Sequence, residues 1–423
     1  MHKEVCRLLI DNSARLIYTA DRTTDQILET FKKENSLFYS EITINEKVAY
    51  ELALTGSMAA KRTACIFSTQ GLYEALDPLM NSAYTGTSGG FLILCLQETE
   101  EEVTPIGLFS KLPVIVAEGP GSLSRSIKFG YDISEKYEIP IIIQVTPNKD
   151  NSHESEIRTM DSESQKINKY DFNPIDSIAV KNSKFIKNPA RWAATPQYRY
   201  KLHKVLNEKI KKIRTEFEQY EGNIIKISGG IKGIITDKYS HVEFYGKDKS
   251  ILYISTVFPL PLRLVDTFLE HMDTAYIDEG KYPTIKLQIS NRKKIDSENV
   301  RKNFAKEKSE EMLYGFEVIR DSLGKASSIN MIHGIKKIDP DRKILAITFE
   351  DDFFHSGMPS FINTLYNGSS YVLLIMTNKR EEEIIKIMSG FGFHNFFHID
   401  MVSEIKEFYS KDELTVLFYR GIL

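Results

Sequence analysis

Three short apolar stretches decide the fold class of this chain. Phe91–Leu96 reads FLILCL, Val114–Ala117 reads VIVA and Pro140–Val145 reads PIIIQV. Strands this short and this continuously apolar are typical of a parallel sheet that is covered on both faces. A segment with helical spacing at Ser124–Tyr137 separates the last two, which is the strand–helix–strand alternation of an α/β fold. The sequence therefore predicts a parallel α/β sheet within residues 1–150.

The same alternation returns twice further along the chain. Strand-like Ile251–Phe258 followed by helix-like Leu262–His271 indicates a second unit, and strand-like Lys343–Phe349 and Tyr371–Met376 indicate a third. We therefore predict three doubly wound α/β domains with the following boundaries: a first domain at 1–150, a linker at 151–199, a middle domain at 200–291, a charged linker at 292–310 and a third domain at 311–423.

The composition excludes two classes of partner. Apolar residues make up 42% and charged residues 27% of the 423 residues, and 55 basic against 58 acidic side chains leave a net charge of −3. Nucleic-acid-binding chains normally carry a basic face, so no nucleic-acid partner is expected. The longest apolar runs fall well short of the roughly 18 residues that span a bilayer, so no membrane partner is expected either.

The cysteines and the first residues bear on the compartment and on redox cofactors. Cys6, Cys65 and Cys95 show no CxxC spacing and are too few for a disulfide framework. Three thiolates cannot supply the four that an iron–sulfur cluster usually takes, so we predict no cluster in this chain. Charged residues such as Lys3 and Asp11 interrupt any signal-peptide core, and the expected setting is a reducing cytoplasm.

Glu46 is the first candidate functional residue. It follows a strand-like segment and starts a helix with Val48 and Ala49 on its apolar face. The local pattern has a structural interpretation, in which Asn45 caps the helix and Glu46 complements the helix dipole. A functional interpretation requires a pocket around Glu46, which local sequence does not show.

Two other segments have both a structural and a functional interpretation. The acidic segment Phe349–Gly357 stands where a strand ends and a helix starts, so it is either a capping turn or a site for a hard cation. Ser228, Gly230 and Gly233 resemble a phosphate-binding turn between a strand and a helix. No acidic residue ends the next strand, at Val257 and Phe258, which argues against a dinucleotide site there.

Six motifs, in the same order, resemble the alpha subunit of indolepyruvate–ferredoxin oxidoreductase, a thiamine-diphosphate enzyme. The match is that of a shortened member with a divergent cofactor motif. The motifs are NEKVAYE at Asn45–Glu51, DPLMNSAYTGTSGG at Asp77–Gly90, EIP at Glu138–Pro140, KNPARW at Lys187–Trp192, FPLP at Phe258–Pro261 and FFHSGMPSFINTLYN at Phe353–Asn367.

The resemblance implies an architecture and a reaction. It implies a pyrimidine-binding-like domain at 1–150, a middle domain of the transketolase C-terminal type at 200–291 and a diphosphate-binding-like domain at 311–423. It implies oxidative decarboxylation of a 2-oxo acid with thiamine diphosphate and Mg²⁺. In such enzymes a glutamate hydrogen-bonds the aminopyrimidine ring, and Glu46 occupies the matching position. A homodimer and a second oxidoreductase subunit or ferredoxin-like electron acceptor are implied as partners.

The diphosphate side departs from the family pattern. The Gly-Asp-Ser triplet whose aspartate binds Mg²⁺ reads Phe349-Glu350-Asp351, and the later metal-binding asparagine matches Asn378. The resemblance therefore makes Glu350 and Asn378 the metal ligands. It adds Asp351, His355 and Ser328 to Glu46, Glu350 and Asn378 as cofactor-binding residues.

These departures leave three functions open. The chain is an active oxidoreductase, a catalytically degenerate binding or partner subunit, or a non-oxidative thiamine-dependent decarboxylase or lyase. Phe349 places a bulky side chain where glycine lets a diphosphate approach the backbone. Glu350 is one methylene longer than aspartate, and Mg²⁺ tolerates poor geometry badly. The residues themselves therefore favour weakened or lost cofactor binding.

Overall fold

Short apolar strands and the helices between them build three sheets in the computed structural model. The structure describes the following residues: 1–34, 37–97, 102–119, 121–147, 188–228, 231–240, 242, 249–289, 291–296, 312–321, 324–409 and 412–421. Most of the predicted linkers at 151–199 and 292–310 lies outside the described residues. By packing, the chain divides into two compact units, unit 1 at Met1–Asn303 and unit 2 at Phe304–Leu423.

The first sheet of unit 1 is parallel throughout, in the order β2-β1-β3-β4-β6-β5. The fully buried run FLILCL is β4 and lies inside the sheet, as continuous apolarity requires. The strands are β1 (Leu16–Thr19), β2 (Tyr39–Ile42), β3 (Thr63–Ser68), β4 (Phe91–Leu96), β5 (Val114–Ala117) and β6 (Ile141–Val145). The helices are α1 (His2–Asp11), α2 (Arg22–Glu34), α3 (Glu46–Met58), α4 (Thr69–Glu74), α5 (Leu76–Thr85), α6 (Thr104–Ser110) and α7 (Ser122–Tyr137).

The second sheet of unit 1 has the order β11-β10-β8-β9-β7, with only β7 antiparallel to its neighbour. Its strands are β7 (Ile224–Lys226), β8 (Lys232–Thr236), β9 (Ser250–Tyr253), β10 (Thr274–Asp278) and β11 (Ile295–Asp296). The accompanying helices are α8 (Pro189–Trp192), α9 (Pro196–Phe217), α10 (Leu262–Glu270) and α11 (Thr284–Ile289).

The sequence pattern placed Gly233 before a helix, and this placement is wrong, in line with the argument against a dinucleotide site. Gly233 lies within β8. A Cβ atom at this position would lie 2.6 Å from Cζ of Phe268 and 2.8 Å from Sδ of Met272. This glycine therefore allows Phe268 and Met272 to pack closely on the strand.

Unit 2 contains the third sheet, in the order β12-β13-β14-β15-β17-β16, with only β12 antiparallel. Its strands are β12 (Met312–Leu313), β13 (Phe316–Arg320), β14 (Ile344–Phe349), β15 (Val372–Met376), β16 (Phe396–Ile399) and β17 (Thr415–Tyr419). Its α-helices are α12 (Ser327–Ile338), α13 (Glu350–Asp352), α14 (Met358–Asn367) and α15 (Glu381–Gly390); a π-helical turn, Phe353–Gly357, joins α13 to α14, and a 3₁₀ helix spans Val402–Phe408.

Both faces of the third sheet are covered. Along β14, Ile344 and Ala346 belong to one hydrophobic cluster, whereas Leu345 and Ile347 belong to another. Successive side chains of a strand point to opposite faces, so each face has its own core. The predicted α/β class with parallel, doubly wound sheets is confirmed, and the division into three domains stays a prediction.

Candidate functional site

Glu46 is the first residue of α3, directly after the cap of that helix. The side chain of Asn45 accepts a hydrogen bond from the backbone N–H of Val48 at 2.9 Å, which starts the helix at this point. Glu46 is 3% exposed. The structural interpretation of Asn45 is therefore correct, and the carboxylate beside it is buried, as a functional role requires.

Gly71 determines where the Glu46 side chain lies. The backbone N–H of Gly71 donates to Oγ of Ser68, the capping residue of α4, at 3.1 Å. A Cβ atom on Gly71 would lie 2.8 Å from both Cγ and Cδ of Glu46. The Glu46 carboxylate therefore lies directly against the backbone of α4, in space that only a glycine leaves open. The sequence motifs did not single out Gly71 as a site residue.

Glu350 begins the helical segment that follows β14, and it is 6% exposed. Its Oε2 accepts backbone N–H bonds from Asn378 at 2.8 Å, Lys379 at 3.1 Å and Arg380 at 3.0 Å. Lys379 N–H also lies 3.3 Å from Oε1. Three consecutive N–H groups that converge on one oxygen form an anion-binding nest, and this one binds the protein's own carboxylate. Glu350 thereby ties the end of β14 to the turn that precedes α15.

The other predicted cofactor-binding residues of this segment differ in exposure. Phe349 is 54% exposed, and Asp351 is also exposed. His355 is buried within the π-helical turn, with its Nδ1 2.6 Å from Oγ of Ser356. Asn378 is exposed, and its backbone contacts Glu350. The structure therefore brings Glu350 and Asn378 together through a backbone N–H.

Ser328 lies at the start of α12, beside an aspartate that the motifs did not indicate. The backbone N–H of Ser328 donates to Oδ1 of Asp321 at 2.9 Å, and Thr348 Oγ1 donates to Oδ2 at 2.7 Å. The Ser328 hydroxyl is buried and has no hydrogen-bond partner among the described residues. Burial raises the pKa of Asp352, and the nearby Asp321 raises it further. Asp321 follows β13 directly, and that position was the only signal in the sequence.

The predicted metal ligands were tested against these contacts. Mg²⁺ takes oxygen ligands in a near-octahedral shell. Oε2 of Glu350 already accepts three N–H bonds. Within the described ranges, no group of three or more His, Cys, Asp or Glu side chains could hold a metal ion. In this arrangement the residues do not fit Mg²⁺, and the metal role of Glu350 and Asn378 stays a prediction that these contacts do not support.

The sequence has curated relatives, although no family model matches it. Indolepyruvate oxidoreductase subunit IorA of Archaeoglobus fulgidus is 28% identical over 265 residues, which cover 60% of this chain and 40% of that protein. IorA of Thermococcus kodakarensis is 27% identical over 281 residues, which cover 63% of this chain and 42% of that protein. The chain is similar to IorA over about 60% of its length. The chain spans about 40% of the length of the IorA proteins that it matches.

A solved structure agrees with this relationship at the level of the fold. A chain of the 2-oxoglutarate:ferredoxin oxidoreductase from Magnetococcus marinus superimposes with a TM-score of 0.50 at 14% sequence identity. The match covers 68% of the present chain and 59% of the chain from Magnetococcus marinus. The two chains thus share a fold over the matched part. No described helix is long and apolar enough to cross a bilayer.

All three thiols of the chain lie inside unit 1. Cys6, Cys65 and Cys95 are free and buried. Burial raises the pKa of Cys6 to about 12 and also raises the pKa values of Cys65 and Cys95. A buried thiol with a raised pKa carries almost no thiolate at neutral pH. These cysteines therefore belong to the hydrophobic core.

Proposed function

We propose that the chain is a thiamine-diphosphate-binding subunit of a 2-oxoacid oxidoreductase, and that Glu46 is its catalytic carboxylate. The observation that carries this proposal is the placement of Glu46, buried at the start of α3 and held against the glycine of α4. The relationship to IorA and the fold of the 2-oxoglutarate:ferredoxin oxidoreductase chain support the reaction class.

Glu46 would act through one hydrogen bond. A buried carboxylate within reach of a ring nitrogen of the aminopyrimidine orients that ring and holds or releases a proton at the nitrogen. The cofactor, when bound, supplies the carbanion chemistry at its thiazolium ring.

The oxidative half of the reaction requires another protein in this proposal. The three cysteines of the chain are buried, and they are too few for a four-thiolate cluster. Electrons from the 2-oxo acid would therefore pass to a second oxidoreductase subunit or to a ferredoxin-like acceptor. We propose a homodimer as the assembly of the chain itself, by analogy with the family that its motifs resemble.

A ligand titration of the full chain tests the proposal. Thermal unfolding is followed with thiamine diphosphate up to millimolar concentration, with and without Mg²⁺. A ligand at 100 times its dissociation constant stabilises the fold by about 2.7 kcal/mol, which raises the melting temperature by several degrees. The rise should be saturable and should disappear in Glu46→Gln. It should persist in Glu51→Gln, a matched change at an exposed position of the same helix.

A second candidate is a catalytically degenerate subunit that binds a partner without using the cofactor. The three N–H bonds to Glu350 favour it, since they engage the carboxylate that would otherwise face the metal. This candidate predicts no response to thiamine diphosphate and Mg²⁺ in a chain that unfolds cooperatively. That result would overturn the enzyme proposal, whereas a response that depends on Glu46 would overturn the degenerate one.

A further inference from the structure

A group of acidic side chains lies at the carboxyl end of the second sheet. Thr236 of β8 and Asp278 of β10 are paired in register, so Asp237 and Glu279 follow at adjacent positions just beyond the two strands. Glu102, which precedes α6, lies against the next residue: a methyl group on Gly280 would overlap its carboxylate. Three carboxyl groups of unit 1 thus gather where parallel strands end.

Two of these carboxyl groups lack hydrogen-bond partners. Glu102 is 8% exposed and Asp237 is 6% exposed. Glu102 Oε2 and Asp237 Oδ1 are buried and accept no hydrogen bond from any residue that the structure describes. Buried polar atoms are nearly always paired with protein, ordered water or a ligand, because an unpaired one carries its full desolvation cost. Two such atoms, on carboxyl groups close enough to repel each other, indicate a partner that the described residues do not supply.

Two neighbouring groups act on the charge of Glu102 and Asp237 or lie beside them. The carboxylate of Glu279 accepts N–H bonds from Ile285 at 2.6 Å and Lys286 at 3.1 Å. Lys238 is the cation whose charge acts on both Asp237 and Glu102.

Glu118 and a tyrosine complete the surroundings. Glu118 accepts N–H bonds from Tyr239 at 2.8 Å and Ser240 at 3.2 Å. Tyr253 is buried, and burial together with the charges of Glu118 and Asp237 raises the pKa of its hydroxyl. Burial and mutual repulsion raise the pKa of Asp237, and they raise the pKa of Glu279 to about 7.

We propose that this cluster, which we name the acidic crevice, binds a hard divalent cation of the Mg²⁺ type through Glu102 and Asp237. Carboxylate oxygens suit such ions, and open α/β sheets bind ligands beyond the carboxyl ends of their strands. Mg²⁺ usually keeps several waters and takes only one or two carboxylates from the protein. The two unpaired oxygens match that demand. The cation would connect Glu102 to the residue that follows β8.

Divalent-ion binding by the full chain, without thiamine diphosphate, tests this proposal. Mn²⁺ serves as a paramagnetic probe in an electron paramagnetic resonance titration, and Mg²⁺ competes with it. Thermal unfolding is recorded with Mg²⁺, Ca²⁺ and an ionic-strength-matched potassium salt. We expect one Mn²⁺ ion to bind per chain and to be displaced by Mg²⁺. We also expect Mg²⁺ to raise the melting temperature by several degrees more than the potassium salt does.

Matched variants locate the site. Asp237→Asn and Glu102→Gln should each raise the dissociation constant at least about tenfold, and Glu51→Gln should leave it unchanged. Circular dichroism shows whether each variant is folded, and Gly280→Ala gives a third, independent disturbance of Glu102. A chain that binds no Mn²⁺, or binds it equally well in all folded variants, overturns the proposal. If Glu102 and Asp237 instead share a proton, the stability of the chain should fall as pH rises and should not respond to divalent ions. That result also overturns the proposal.

Discussion

Two buried glutamates each start a helical segment beyond the end of a strand, and they are held in different ways. Glu46 follows β2 in unit 1 and Glu350 follows β14 in unit 2; each starts a helical segment and is almost fully buried. Glu46 lies on the bare backbone of Gly71, whereas Glu350 accepts three backbone N–H groups of residues 378–380. The difference arises from the segment that faces each carboxylate. Gly71 leaves room beside Glu46, whereas the turn at residues 378–380 donates its N–H groups to Glu350.

The largest effect should come from removing the Glu350 carboxylate. Glu350→Ala leaves three backbone N–H groups at the start of α15 without their acceptor, and it should cost about 3 kcal/mol of unfolding free energy. Glu350→Gln keeps one acceptor oxygen and should cost less. Denaturant unfolding measures both, with the exposed Glu382→Ala as the control. A Glu350→Ala chain as stable as the control would show that this turn does not depend on the carboxylate.

Gly71→Ala should have the next largest effect. Its Cβ would lie 2.8 Å from two carbon atoms of Glu46, so either the side chain or α4 must move, at about 1–3 kcal/mol. If the two residues act through this contact, Gly71→Ala should cost much less when Glu46 is already alanine. A double-mutant cycle by denaturant unfolding measures that difference. Additive effects would show that the strain at Gly71 arises elsewhere.

The acids of unit 1 should make stability depend on pH. The pKa of Glu279 rises on folding from 4.5 to about 7, chiefly through burial. A raised pKa means that its contribution is complete below about pH 4.5 and is lost progressively as pH rises through about 7. Unfolding midpoints across this range should fall, and Glu279→Gln should flatten the curve. An unchanged slope would assign the dependence to other buried acids, such as Asp352 of unit 2.

Gly334→Ala should have the smallest effect, and it serves as the reference for Gly71→Ala. Gly334 lies inside α12, and a Cβ atom there would meet nothing within 4 Å. Gly334→Ala should therefore stabilise the chain by about 0.5–1 kcal/mol, because alanine loses less backbone entropy in a helix. Thermal or denaturant unfolding gives the sign directly. If Gly334→Ala lowered stability, glycine-to-alanine changes would be costly in this chain even without a steric contact. The cost of Gly71→Ala would then not measure the contact between Gly71 and Glu46.

Local sequence patterns predicted much of the fold and the Glu46 half of the candidate site. The apolar run of β4 indicated a buried parallel strand, and Asn45 followed by Glu46 indicated the start of a helix, as found. Both depend on neighbours within one or two turns of the chain. Gly233 shows the limit of such patterns, because the glycine that resembled a phosphate-binding turn allows close packing against Phe268.

The partners of the two glutamates could not be predicted from the sequence. Gly71 acquires its role from Glu46, 25 positions earlier in the chain, and Glu350 finds its donors 28 to 30 positions later. In each case the contact exists only once parallel strands bring their carboxyl ends to the same edge of the sheet. The motifs identified which carboxylates matter, and the tertiary arrangement decided what each one contacts.

The burial of every cysteine has a practical consequence for measuring this molecule. With Cys6, Cys65 and Cys95 all enclosed and their pKa values raised, thiol-directed dyes and spin labels should react very slowly with the native chain. A cysteine introduced at an exposed position of each unit, for example at Glu51 and Glu382, would then carry a probe pair without removing any natural residue from the core. Distances between such probes would report directly how the two units are arranged in solution.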